Sequence, residues 1–158
     1  MTEMYRSSAA PPQPALNAGK LWAGGLATAL LAALIAVVGI VIGRGLFDVQ
    51  VLAPKGDGVW GDASTFWYAL GAAGGSLLAT ALVHVLVLFA PKPMRFFGWL
   101  IALATIGAMA APFATDQETG SKLYTALLNL ILGVAIGSLV AGSARAAIRP
   151  VAPARAYP

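Results

Sequence analysis

The chain has 158 residues, 59% of them hydrophobic and only 10% charged, with a net charge of +4. A soluble domain carries about 25% charged residues to solvate its surface, so a mean hydropathy of +0.80 excludes that class and points to a polytopic membrane protein. The absence of cysteine excludes disulfides and thiolate chemistry, and the basic residues lack the dense, aromatic-interleaved run that nucleic acid requires.

Residues 1–19, "MTEMYRSSAAPPQPALNAG", are poor in bulky apolar side chains and are expected to form a disordered tail. The apolar run that follows, 21–42, is too long for a signal-peptide core, so no cleavage is expected. Three more runs cover 65–89, 96–113 and 123–142, and every one of the four has at least 18 residues without Asp, Glu, Lys or Arg. About 20 helical residues cross a hydrocarbon core of about 30 Å. Lipid cannot satisfy open backbone donors and acceptors, so helices are expected throughout. The fold class is therefore all-α: an integral-membrane four-helix bundle over residues 20–146, with a second disordered tail over 147–158.

In the first run, Gly39-x-x-x-Gly43 is preceded by Gly24, Thr28, Ala32 and Ala36 at steps of four. Small residues at that spacing let helix backbones approach closely, which matters because lipid tails leave no hydrophobic drive between helices. The long link 43–64 then contains an alternating piece, 47–52, expected to be extended, and the string "GDGVWG" at 56–61. The string matches G-x-G-x-x-G, but the surrounding βαβ unit and the acid about 20 residues later are missing, and Asp57 would repel phosphate. No nucleotide is expected there. The better reading is a turn that re-enters the membrane, with Trp60 at the interface and Asp62 or Ser64 capping the second helix. Asp57, Trp60 and Asp62 are the candidate recognition residues of this loop. An external cation site built from Asp48, Asp57, Asp62, Asp116 and Glu118 has no calcium-loop spacing to support it, and no metal or other cofactor is expected.

The second run carries Gly71-x-x-x-Gly75 and, nearly opposite, the stripe Ser76, Thr80 and His84. An ionisable residue at membrane depth is a functional candidate. The alternative is a neutral imidazole bonded to a nearby backbone or side-chain group. The turn "APKPMR" leads to the third run, with small residues at Gly98, Ala102, Ala104, Ala108 and Ala111, and "ATDQETGSK" leads to the fourth. There Thr125, Asn129, Gly133, Gly137 and Ala141 make an unbroken row at steps of four. Its expected role is packing within the chain, with a homodimer seam as the alternative. Ser76, Thr80, His84 and Asn129 form a candidate intramembrane polar path. Gly39, Gly43, Gly71, Gly75, Gly133 and Gly137 are the candidate helix-packing positions.

With both termini on one side, that side holds Arg6, Lys20, Lys92, Arg95, Arg145, Arg149 and Arg155, against Arg44, Lys55 and Lys122 on the other. The excess places both termini in the cytoplasm and the long link outside. Two aromatic belts fit these boundaries: Trp22, Phe89, Phe96, Phe97 and Trp99 inside, and Trp60, Phe66, Trp67, Tyr68, Phe113 and Tyr124 outside.

The segments "VLAPKGDGVWGDASTFWYALGAA", "PKPMRFFGW", "APFATD" and "TALLNLILGVAIGSL" resemble a family of small actinobacterial four-helix membrane proteins, the domain of unknown function numbered sixty sixty-nine. The resemblance runs from Gly25 to Ile148. It implies a bacterial plasma-membrane protein and supplies no activity, ligand or catalytic residue. No catalytic constellation is visible, so the expectation is a non-enzymatic structural or interaction component of that membrane. Its expected partners are the lipid bilayer and either a second copy or a membrane protein. A small transporter or channel component is the alternative.

Overall fold

The computed structural model describes residues 15–54 and 60–149. The expectations for residues 1–14, 55–59 and 150–158, among them most of both expected tails and Asp57, lie outside the described residues. Four helices run antiparallel in sequence: α1 (Ala18–Leu46), α2 (Thr65–Phe89), α3 (Pro93–Ala110) and α4 (Thr119–Ala147). All four are long and apolar enough to cross a membrane, α3 together with the 3-10 turn Ala111–Ala114 that extends it. Two short antiparallel pairings complete the fold. β1 (Ala15–Leu16) pairs with β4 (Ile148–Arg149), and β2 (Leu52–Pro54) pairs with β3 (Trp60–Asp62).

The helices begin and end differently from the charge-free runs, for local reasons. α1 starts three residues early because Asn17 takes the N-cap position and its side chain accepts the Lys20 N–H at 2.9 Å. The Asn17 N–H donates to the Ala147 carbonyl at 2.9 Å, so β1, β4 and this bond clasp the start of α1 to the end of α4. Residues 15–19 and 147–149, read from sequence as tail, belong to that clasp. α3 starts at Pro93, whose missing N–H costs nothing in a first turn. It gives way to a 3-10 turn at Ala111 because Pro112 cannot donate to a carbonyl four residues back.

α1 is the centre of the bundle. Its buried positions, Leu21, Gly25, Thr28, Ala29, Ala32, Ala36, Gly39, Ile40 and Gly43, are almost all small, which lets α2 and α4 come close on either side. A β-carbon on Gly25 would overlap the Thr80 side chain of α2, and one on Gly39 or Gly43 would overlap Leu128 or Tyr124 of α4. On the far side of α4, Gly133 meets Thr105 and Gly137 meets Ile101, which seats α3. The fourth-helix row is therefore used for packing within the chain. Gly71 and Gly75 differ: a β-carbon at either would touch nothing within 4 Å among the described residues, so they are not packing positions between these helices.

Two apolar clusters fill the bundle. At the end that carries the termini, Leu21, Val83, Phe97, Val140 and Ala144 pack together. At the opposite end, here the loop end, Ala36, Ile40, Val51, Ala63, Leu128 and Leu132 do so. Phe97 is only 2% exposed and so sits in the core instead of the aromatic belt. Phe89, Trp99, Phe66 and Trp67 remain exposed on the outside, as lipid-facing rings are. The extended piece of the link falls later than 47–52. Asp48 adopts φ 50 and turns the chain back, the Val49 N–H reaches the Gly43 carbonyl, and the strand begins at Leu52.

Overpacking costs about 1–3 kcal/mol where no space exists. Gly133→Leu is therefore expected to lower the thermal unfolding midpoint in detergent clearly. Gly75→Leu, which enters open space, should stay within about 0.5 kcal/mol of the parent.

Candidate functional site

The loop end is assembled by Arg44, from the last turn of α1. Its guanidinium donates to the Asp62 carboxylate at 2.8 Å, to the Ala63 carbonyl at 2.6 Å and to the Thr65 hydroxyl at 3.4 Å. One side chain thus ties the β2–β3 hairpin and the start of α2 to the end of α1. Asp62 is spent in this ion pair and does not cap α2. Ser64 occupies the N-cap position but makes no capping bond with its side chain. The hairpin is pinned from α4 as well, because the buried Thr125 hydroxyl accepts the Leu52 N–H at 2.9 Å. Trp60 contributes backbone to β3, and Asp57 lies outside the described residues. The antiparallel pairing of β2 and β3 is not the parallel βαβ unit that a dinucleotide fingerprint needs.

Beneath this latch a cavity of about 890 Å³ opens between the hairpin, α2 and α4. Arg44, Asp62 and Ser64 stand at its loop end, and Gly71, Ala72 and Leu132 line its deeper end. Between them, Tyr68 and Asn129 meet across the wall: the Tyr68 hydroxyl donates to Asn129 Oδ1 at 2.5 Å. The Asn129 amide nitrogen donates to the Ala108 carbonyl at 2.7 Å. Ala108 lies four residues before Pro112, so its carbonyl is the one that proline leaves without a helical donor. Asn129 thus fills a gap that Pro112 creates, and in doing so links α2, α3 and α4 at one level.

The candidate polar path is not continuous in space. Thr80 donates to the Ser76 carbonyl at 2.9 Å and packs on Gly25. The Ser76 hydroxyl is fully buried and has no partner among the described residues. Both sit in the α1–α2 seam. His84 lies near the termini end, where its Nδ1 accepts the Trp22 indole N–H at 3.1 Å. Asn129 belongs to the cavity at the opposite end. Among the described residues no three His, Asp or Glu side chains gather to hold a metal.

Three contributors escaped sequence reasoning. Arg44 was counted for topology alone, although a cation ending one helix and an acid preceding the next is a signal for such a latch. Tyr68 and Tyr124 were assigned to the belt, yet Tyr124 donates to the Gly39 carbonyl at 2.7 Å, and Tyr68 bonds Asn129. Side-chain polarity near a helix end does not reveal which way a ring turns.

A family model described as a family of unknown function (DUF6069) matches residues 16–146. No curated protein and no solved structure matches the chain.

Leaving a carbonyl unpaired where lipid replaces water costs about 1–3 kcal/mol, so Asn129→Leu should destabilise the fold by that amount in reversible unfolding in mixed micelles. A double-mutant cycle with Tyr68→Phe should return a coupling of about 0.6 kcal/mol. A cycle that closes to zero would contradict the Tyr68–Asn129 bond.

Proposed function

The chain belongs to DUF6069, a family of unknown function, and from that premise we propose that it is a non-enzymatic membrane protein that works by binding at its loop end. The plasma membrane of a bacterium is its place, with both termini in the cytoplasm. One observation carries the reading. Arg44, Asp62, Ser64, Tyr68 and Asn129 line one cavity at the loop end, whereas Thr80 bonds within its own helix and His84 is bonded to Trp22. A cavity of about 890 Å³ with a mostly apolar floor and a few convergent polar groups is the common form of a binding site.

The orientation rests on the basic residues. Lys20, Lys92, Arg95 and Arg145 lie at the termini end, and only Arg44 and Lys122 lie at the loop end among the described residues. A transport path through α2 and α4 finds less support, because Ser76 and Thr80 are closed into the α1–α2 seam and His84 is held by Trp22. Among the described residues of the cavity there is no paired acid and base and no nucleophile beside a base, which gives catalysis less support. A partner at the loop end, whether a second copy, another membrane protein or a small molecule, fits the reading. The fourth-helix row is not free to receive one, because α3 already covers it.

Native mass spectrometry from mild detergent is expected to show a bound species that is lost when the cavity is filled. A protein that is monomeric and empty in every preparation would overturn the reading. The chain has no native cysteine, so single thiols report topology cleanly. Ser64→Cys should react with an impermeant maleimide in intact cells and Lys92→Cys only after permeabilisation; the reverse pattern would contradict the orientation.

A further inference from the structure

We propose that the loop-end cavity takes an amphiphile with an acyl chain and a net-neutral, hydrogen-bonding head, received from the leaflet on that side. This rests on the binding reading above and names its ligand class. The cavity is graded along the helix axis. Arg44 and Asp62, each with a side chain 40% exposed, stand at the polar end, and Gly71, Ala72 and Leu132 form the apolar end. The stretch of α2 from Thr65 to Ala72 rises about 10 Å, enough for a head at the interface and the upper part of a chain below it. Trp67, 69% exposed, flanks the opening where an indole sits at headgroup level.

Gly71 supplies the second observation. Among the described residues nothing lies within 4 Å of where its β-carbon would be, yet it lines the cavity. Its smallness makes room for something other than this chain's own helices, and a bare glycine backbone offers a flat surface to an acyl chain. The head chemistry follows from the latch. Arg44 is already neutralised by Asp62 at 2.8 Å, so a net anion would meet the carboxylate as well as the guanidinium. The remaining guanidinium N–H groups, the second Asp62 oxygen and the Ser64 hydroxyl offer donors and acceptors together. That set suits a zwitterionic or hydroxylated head, the shared chemistry of a bilayer lipid and of a water-borne amphiphile. The groove between α1 and α4, about 490 Å³ and lined by Leu34, Val38, Leu127 and Ile131, offers a chain a surface but a head very little.

The test is tryptophan quenching in phosphatidylglycerol vesicles doped with brominated phosphatidylcholine, the Trp67 signal being the difference between the full chain and Trp67→Phe. Brominated phosphatidylcholine should quench Trp67 with an apparent affinity about tenfold above that of brominated phosphatidylglycerol, the worth of one or two hydrogen bonds. Gly71→Leu should abolish the preference by filling the floor, whereas Gly75→Leu should keep it. Should Gly71→Leu not fold, Asp62→Asn serves instead: it makes the mouth cationic and should turn the preference toward the anionic lipid. A short-chain phosphocholine added from water should leave Trp67 quenched, as a ligand received from the leaflet requires, and restored emission would overturn that source. Equal quenching by both brominated lipids in the full chain would overturn the proposal. If a protein partner is then found at the loop end by native mass spectrometry, the binding reading survives; an empty protein sinks both.

Discussion

The close approach of α1 to α2 and α4 is the constraint from which the rest of this structure follows. Lipid tails are as apolar as leucine, so helices gain little by hiding apolar surface from them and must associate by tight packing and hydrogen bonds. α1 provides the packing with a face of Gly25, Ala29, Ala32, Ala36, Gly39 and Gly43. The side chains that enter its grooves come from the neighbours: Thr80 over Gly25, Leu128 over Gly39 and Tyr124 over Gly43. Because the backbones lie so near, the Tyr124 hydroxyl can reach the Gly39 carbonyl across the seam. α3 then joins through α4, where Gly133 and Gly137 receive Thr105 and Ile101.

At the loop end this economy is interrupted, and the interruption makes the cavity. Pro112 stops α3 and strands the Ala108 carbonyl, Asn129 turns to meet it, and Tyr68 turns to meet Asn129. Arg44 meanwhile holds the hairpin over the same end. These polar groups sit beside the exposed Gly71, so a polar latch and an apolar floor share one opening. The same residues that satisfy stranded backbone groups therefore also shape the place where a ligand can enter.

The four helices were legible because charge-free runs of membrane length have few other solutions. Their ends were less so. Counting charges excluded Lys20 and Lys122, although both lie inside helices, and the Asn17 cap that signals the true start of α1 is a single residue in a polar stretch. The row on α4 could be read from its period, because regular spacing places residues on one face whatever covers it. The same period misled at Gly71 and Gly75, since spacing fixes a face but not its occupant. Phe97 and Tyr68 were misplaced for a related reason: aromatics near a helix end satisfy the belt pattern whether they turn outward to lipid or inward, and only the third dimension distinguishes the two. Arg44 and Asp62 are separated by a link with no regular period, so only their places, a cation ending one helix and an acid preceding the next, hint at their pairing.

The central claim is that this protein binds at the loop-end cavity and not along its lipid-facing surface at large. The most direct measurement is photocrosslinking in native membranes from a benzoyl-phenylalanine placed at Trp67, beside the cavity, against one at Leu103, 63% exposed on α3. The account predicts an adduct of one discrete mass from position 67 and a diffuse mixture of bulk lipids from position 103. The same mixture from both positions would contradict it.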